Sequence, residues 1–157
     1  KLRRPYEKLI ALFRTTHTIV NAYDGASMAL AALGDGLFAW PTPEGRPDAD
    51  SQWLSRAAHL QYWKLAFDLL VHPAFHTTFT DQTPEPARAS AEAVADYWLG
   101  RMLGHGLRPD ARAALIADIN GPIGFIAAQR SAGVANIENS LRRLATFIAA
   151  TPEFAVR

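Results

Sequence analysis

The sequence predicts an all-α fold: a bundle of five or six helices with one long ordered loop rich in Pro and Gly. Apolar residues recur at helical spacing along most of the chain, and no run shows the period-two alternation of a half-buried strand. Hydrophobic residues make up 49% of the 157 residues, which is enough apolar content for one core. We therefore expect a single helical domain over residues 1–157.

The first two helices are marked by local start and stop signals. Pro5 suits the first position of a helix, and Tyr6, Leu9 and Phe13 then share one face. Asp24 can cap a second helix that runs through Leu33. Gly34 fits the left-handed stop that commonly follows a helix.

The third helix is predicted to lie in the middle of the bundle. It opens near Asp50 or Ser55 and runs to about Val71. Two of its sides are apolar, and a helix that is apolar on nearly all sides is typical of a buried position. One side carries Leu60, Trp63, Phe67, Leu70 and Val71, and the other carries Ala58, Tyr62, Leu65 and Leu69.

The second half of the chain predicts three further helices, and a possible short one, after an irregular crossing at residues 77–86. A helix from about Ala87 to Leu103 buries Val94 and Trp98, and Gly104 ends it. The next starts at Pro109 and stops at Asn120-Gly121-Pro122, a strong turn signal. A short helix can follow to Gly133. Asn136 is predicted to cap the last helix, which buries Leu141, Leu144 and Ile148 and ends at Thr151-Pro152.

The loop between Gly34 and Leu54 carries large apolar side chains, among them Trp40 and Trp53. A connection of roughly twenty residues without regular structure is unusually long, and such loops are commonly functional or disordered. The aromatic content argues against disorder. We therefore expect an ordered loop whose aromatic residues either join the core or bind a ligand.

Composition excludes several functional classes. A formal net charge of +1 gives no electrostatic footprint for nucleic acid, and no apolar run is long enough to span a bilayer. The absence of Cys excludes disulfides and thiolate nucleophiles. The chain begins with Lys1, so we expect a processed or truncated product whose true N-terminus lies elsewhere.

No catalytic or cofactor motif is present, so we expect no cofactor, and whether the protein is an enzyme stays open. A nucleophile elbow and a phosphate-binding Gly-rich loop are both missing. The loop carboxylates do not follow the EF-hand spacing from Asp48. His72 and His76 stand four residues apart and would share a helix face, which makes them a weak candidate pair for Zn²⁺.

The loop also carries a family resemblance. It reads Trp40-Pro41-Thr42-Pro43-Glu44-Gly45-Arg46-Pro47-Asp48, followed by Trp53-Leu54-Ser55. This run resembles the motif of a large bacterial family catalogued as domain of unknown function 1800. The segment that begins at Arg4 resembles the family's helix entering this region. The segment that begins at Thr151 resembles the family's closing "S-P-E-F".

The resemblance implies the C-terminal part of a longer, exported bacterial protein, located in the periplasm or secreted. It also implies a partner: another exported protein, or the remainder of the protein's own chain. The sequence departs from the family pattern at Tyr62, where a basic residue is expected, and at Lys64, where a small polar residue is more usual. The resemblance assigns no catalytic residues.

Two functional hypotheses follow. The first is a non-catalytic helical scaffold or binding module, whose loop seals the missing part or docks a partner. The alternative is one wall of an enzyme or ligand-binding site that a missing N-terminal part completes. The candidate binding residues are Trp40, Arg46, Asp48, Trp53 and Tyr62.

Overall fold

A computed structural model describes residues 2–20, 23–36, 43, 45, 56–71, 75–131 and 134–156. These residues form an all-α structure, which confirms the predicted fold class. Six helices have ten or more residues: α1 (Pro5–Thr16), α2 (Tyr23–Ala32), α3 (Arg56–Val71), α5 (Ala91–Leu103), α6 (Pro109–Asn120) and α8 (Val134–Ala149). Two short α-helices are α4 (Phe79–Gln82) and α7 (Phe125–Arg130), and two 3₁₀ turns span Glu85–Arg88 and Glu153–Ala155.

Several helix ends fall where the sequence signals predict them. Pro5 and Pro109 open α1 and α6. Gly104 ends α5 in the left-handed conformation at φ 76°, and its N–H donates to the Gly100 carbonyl. Gly34 is also left-handed, at φ 73°, just after α2. Asn136 is not a cap, because α8 already begins at Val134 and places Asn136 in its first turn.

The core is built around α5 and α8, which pack against each other. Trp98 of α5 is fully buried, its ring centroid lies 5.1 Å from that of Phe79, and its Nε1 donates to Thr83 Oγ1. In the predicted inward stripe of α8, Leu141, Leu144, Ala145 and Ile148 are buried, and Ile137 is partly buried and packs against the core.

The prediction that α3 lies in the middle of the bundle is wrong. Tyr62 and Ala66 are buried, but Leu60, Trp63 and Phe67 on the other side of the helix are exposed. The described residues cover one apolar side of α3 and leave the second open. The apolar pattern of α3 alone does not show which surface covers its second apolar side.

The predicted irregular crossing at residues 77–86 contains α4 and the start of the first 3₁₀ turn instead. This turn runs on to Arg88, so the helix predicted from about Ala87 begins at Ala91. Side-chain hydrogen bonds hold α4 and this turn: Glu138 of α8 accepts from the Phe79 and Thr80 N–H groups, and Arg88 of the 3₁₀ turn donates to the Thr83 carbonyl that follows α4. A two-residue antiparallel pair, β1 (Ile19–Val20) with β2 (Phe75–His76), was also not expected. Elements this short carry no periodicity in the sequence, so only tertiary contacts reveal them.

The two ends of the described chain lie side by side. Leu2 bridges Val156, the Arg3 N–H donates to the Ala155 carbonyl at 2.7 Å, and the Arg3 guanidinium lies over the Phe154 ring. Phe154 is buried, so the segment that resembles the family's closing motif completes the core. None of the helices in the described ranges combines the length and apolarity that a bilayer crossing requires.

Candidate functional site

Four of the five predicted binding residues, Trp40, Arg46, Asp48 and Trp53, lie outside the residues that the structure describes. Tyr62 is described, and α3 places it in the core with 4% of its surface exposed. The ligand-site hypothesis expects Tyr62 on an open wall, whereas the structure buries it.

Tyr62 packs against Lys8 of α1, whose Nζ lies 5.1 Å from the centre of the tyrosine ring. Lys8 is 5% exposed, and burial lowers the pKa of its amine. Burial raises the pKa of the Tyr62 phenol, while the charge of Arg3 acts in the opposite direction. A desolvated lysine can serve as a nucleophile or base, but only where a substrate reaches it. Because both side chains are buried, this pair reads as core structure rather than as a reactive site.

The histidine pair also stays a prediction. His72 lies outside the described residues, and for His76 the structure describes only the backbone, within β2. Across the described ranges, no group of three or more His, Cys, Asp or Glu residues is placed to hold a metal ion.

Among the described residues, four exposed apolar side chains lie together on α3 and α8. We call Leu60, Trp63, Phe67 and Phe147 the aromatic face; each is between 43% and 61% exposed. Leu60, Trp63 and Phe67 follow one another at helical spacing, so they form one stripe along α3. Since α3 packs against α8, the stripe continues onto Phe147.

Two grooves flank Phe147. The α3/α8 groove has a volume of about 290 Å³ and is lined by Trp63, Phe67, Arg143, Thr146, Phe147 and Ala150. The α6/α8 groove has a volume of about 530 Å³ and is lined by Leu107, Ala111, Ala114, Leu115, Asp118, Phe147, Ile148 and Thr151. Phe147 lines both, so its ring is a ridge between two mainly apolar depressions.

The charged groups around the aromatic face neutralise one another. Lys64 pairs with Asp68 at 2.5 Å one turn further along α3. Arg143 of α8 donates to Asp118 of α6. The Lys64–Asp68 pair is exposed, and an exposed pair adds only about 0–1 kcal/mol to stability. Both pairs matter electrostatically, because the charged residues described around the face are joined to partners of opposite sign.

A third depression, of about 460 Å³, lies between α7 and α8 and is more polar. Asn136, Asn139 and Arg143 line it from α8, and Ala127 and Ala128 line it from α7. The small alanine side chains leave space in the groove, and the amide and guanidinium groups of α8 lie at its edge. This polar groove could hold a small hydrogen-bonding ligand.

Sequence reasoning missed the aromatic face for an identifiable reason. It assigned Trp63 to the core from its apolar neighbours, whereas the structure leaves Trp63 exposed. Phe147 gave a usable signal, because it lies off the buried stripe of Leu141, Leu144 and Ile148. A single exposed aromatic residue is normal on a protein surface, so this signal becomes informative only beside the exposed Trp63 and Phe67.

Comparison with known proteins places the chain in a family. No curated protein and no solved structure matches it. A family model described as protein of unknown function DUF1800 matches residues 1–156, so the chain belongs to that family.

Proposed function

We propose that this chain is a non-catalytic helical scaffold or binding module of an exported bacterial protein, and that the aromatic face is its binding surface. The observation that carries the proposal is the exposure of Trp63, Phe67 and Phe147 side by side along the two flanking grooves. Export and bacterial origin rest on the resemblance of the Trp40–Asp48 motif.

The size of the face supports binding. If each aromatic side chain offers 150–250 Å² and about half of it is exposed, the three rings leave on the order of 300 Å² of apolar surface. The largest apolar patch on a typical monomer is about 300–600 Å² and is often functional. Covering such a patch is worth about 25 cal/mol for each Å² removed from water. An apolar occupant would therefore be favoured.

Photocrosslinking in the producing cell tests the proposal. The photoreactive residue p-benzoylphenylalanine replaces Phe67 or Phe147 one at a time, and the control replaces Met28, which is 73% exposed on α2 and lines neither groove. We expect crosslinks from positions 67 and 147 to one protein surface, identified by mass spectrometry, and few from position 28. Equal, unspecific labelling from all three positions would contradict the proposal.

The proposed export is tested separately. The protein, expressed in its native host with a C-terminal tag, is followed by cell fractionation. We expect it in the periplasmic or secreted fraction. Recovery with the cytoplasmic markers alone would contradict the proposed export and would not bear on the proposed binding surface.

One observation favours the alternative, a wall of a ligand site. The polar groove presents Asn136 and Asn139, which make no side-chain hydrogen bonds within the described residues. Titration of ¹⁵N-labelled protein with acetate, glucose and trialanine, one at a time, tests it by NMR. Saturable shifts around Asn139 that Asn139→Ala abolishes would support a ligand wall, and their absence would count against it.

A further inference from the structure

We propose that the occupant of the aromatic face is a second copy of this chain, packed against the first about a two-fold axis. This inference rests on the proposed function, because it names the partner of the same surface. It follows from the shape of the face, from its charge and from its area.

The shape of the face is self-complementary. A two-fold interface pairs one surface patch with itself, so the patch must carry both projections and depressions. Phe147 projects between two grooves of about 290 and 530 Å³. Phe147 of the second copy can enter one of the two grooves of the first copy. By symmetry, Phe147 of the first copy then enters the same groove of the second. One patch therefore supplies both halves of the contact.

The charges do not oppose this contact. A patch with a net charge repels its own copy, and like charges facing each other can cost several kcal/mol. Lys64–Asp68 and Asp118–Arg143 are internal pairs of opposite sign. Two copies therefore meet as neutral surfaces, whereas a strongly charged partner gains nothing from this face.

The area is of the right size. A standard interface buries about 800 Å² on each partner, and somewhat more than half of that is apolar. The exposed rings alone supply on the order of 300 Å². Leu60 and the apolar linings of the two grooves extend this centre. The remaining exposed large apolar residues lie on other elements of the described chain: Tyr6, Ile19, Met28, Ile123 and Val156. Residues scattered in this way build no second patch.

Sedimentation equilibrium of the 157-residue chain tests the inference. We expect a monomer–dimer equilibrium with a Kd in the micromolar range or tighter. Phe147→Glu and Phe67→Glu should each raise that Kd by at least about 30-fold, the effect typical of a central interface aromatic. Met28→Glu is the matched control, since it adds the same charge at an exposed apolar residue away from the face, and its Kd should stay close to wild type.

A second measurement does not depend on these variants folding. The sequence contains no Cys, so Glu92→Cys on the exposed surface of α5 provides a unique attachment point for a spin label outside the aromatic face. Pulsed electron–electron resonance of the labelled chain should give one intermolecular distance distribution in the measurable range. Diluting it with unlabelled chain should reduce the modulation depth without shifting the distance.

The outcomes separate this inference from the proposed function. A dimer that both face variants weaken, and that Met28→Glu does not, supports the second copy. A chain that stays monomeric while positions 67 and 147 crosslink to a different protein, or to another part of a longer chain, overturns the second copy and leaves the binding surface standing. A monomer without specific crosslinks overturns both. A dimer that none of the face variants weakens also overturns the inference.

Discussion

Lys8 places an ammonium group inside the protein against the ring of Tyr62, and the described residues offer it no ion pair. A buried charge without a partner is costly, and a cation over a tyrosine ring recovers only part of the loss, about 0.5–2 kcal/mol. The pair therefore makes the stability of the protein depend on pH in the alkaline range.

The direction of that dependence follows from the two pKa shifts. Burial lowers the pKa of Lys8 from 10.5, so the folded protein releases this proton before the unfolded chain does. As pH rises from the lowered value towards 10.5, the unfolded chain holds more protons, and the free energy of unfolding increases. Burial raises the pKa of Tyr62 from 10.0, so above that pH the unfolded chain loses its proton first and the free energy of unfolding decreases.

Urea unfolding between about pH 8 and pH 11 measures both effects. Lys8→Met should remove the rise that lies below pH 10.5, because the methionine side chain has no proton to release. Tyr62→Phe should remove the fall above pH 10 and leave the Lys8 effect in place. A Lys8→Met variant that keeps the full rise would show that another group is responsible.

Trp98 and Trp63 should lose very different amounts of stability when each is replaced by Ala. Trp98 is fully buried, and Trp98→Ala should lower the free energy of unfolding by about 3–5 kcal/mol because it leaves a cavity. Trp63 is 43% exposed, and Trp63→Ala should cost less than about 1 kcal/mol. Circular dichroism followed through urea unfolding gives both values. Equal losses would mean that Trp63 is covered within the monomer.

At the scale of single elements, Glu138 holds a neighbouring helix in place. Its carboxylate accepts from the N–H groups of Phe79 and Thr80 at 3.1 and 2.8 Å, from the Thr80 hydroxyl at 2.8 Å, and pairs with Arg142. These are the first backbone donors of α4, which would otherwise lack acceptors at the start of the helix. A side chain of α8 thus does the work that a local cap does in longer helices.

We therefore expect Glu138→Ala to lower the free energy of unfolding by about 1–3 kcal/mol, since it leaves backbone donors unsatisfied. Hydrogen exchange at the Phe79 and Thr80 amides should accelerate more than exchange within α5. Glu92→Ala on the exposed surface of α5 is the control and should change neither quantity appreciably. Unchanged protection at Phe79 in the Glu138 variant would rule out this role.

The same contrast explains which elements the sequence predicts. The ends of α1, α5 and α6 are encoded locally, by Pro5, Gly104 and Pro109, and these were predicted correctly. The short α4 depends on a carboxylate about sixty residues away along the chain, as the Phe79–Glu138 hydrogen bond shows. The four residues of α4 contain no pattern that predicts a helix, so the sequence predicts an irregular crossing there.

At the scale of the whole molecule, the sequence predicted the helical class and the family, but not the candidate site. An apolar side chain looks the same in a sequence whether it faces a core or an open surface. Trp63 and Phe67 were therefore assigned inward, and only the packing of α3 on α8 shows that they face outward. Four of the five predicted binding residues lie outside the described residues, so their roles stay predictions.

The aromatic face leads to a prediction about the molecule as a whole: the core should hold without it. The combined substitutions Trp63→Ser, Phe67→Ser and Phe147→Ser remove three half-exposed rings and leave the buried contacts between α5 and α8 in place. If each costs less than about 1 kcal/mol, the losses add to less than about 3 kcal/mol, and the far-ultraviolet circular dichroism should stay helical.

At protein concentrations below the dimer Kd, binding of the dye ANS, which reports exposed apolar surface, should fall in the same triple variant. Leu144→Ser on the buried side of α8 is the contrasting control: it should unfold or strongly destabilise the chain and raise ANS binding. If the triple variant instead lost its cooperative unfolding, the three rings would be part of what holds the helices together. The aromatic face would then be a poorly covered edge of the core, and the case for a partner at this surface would fail.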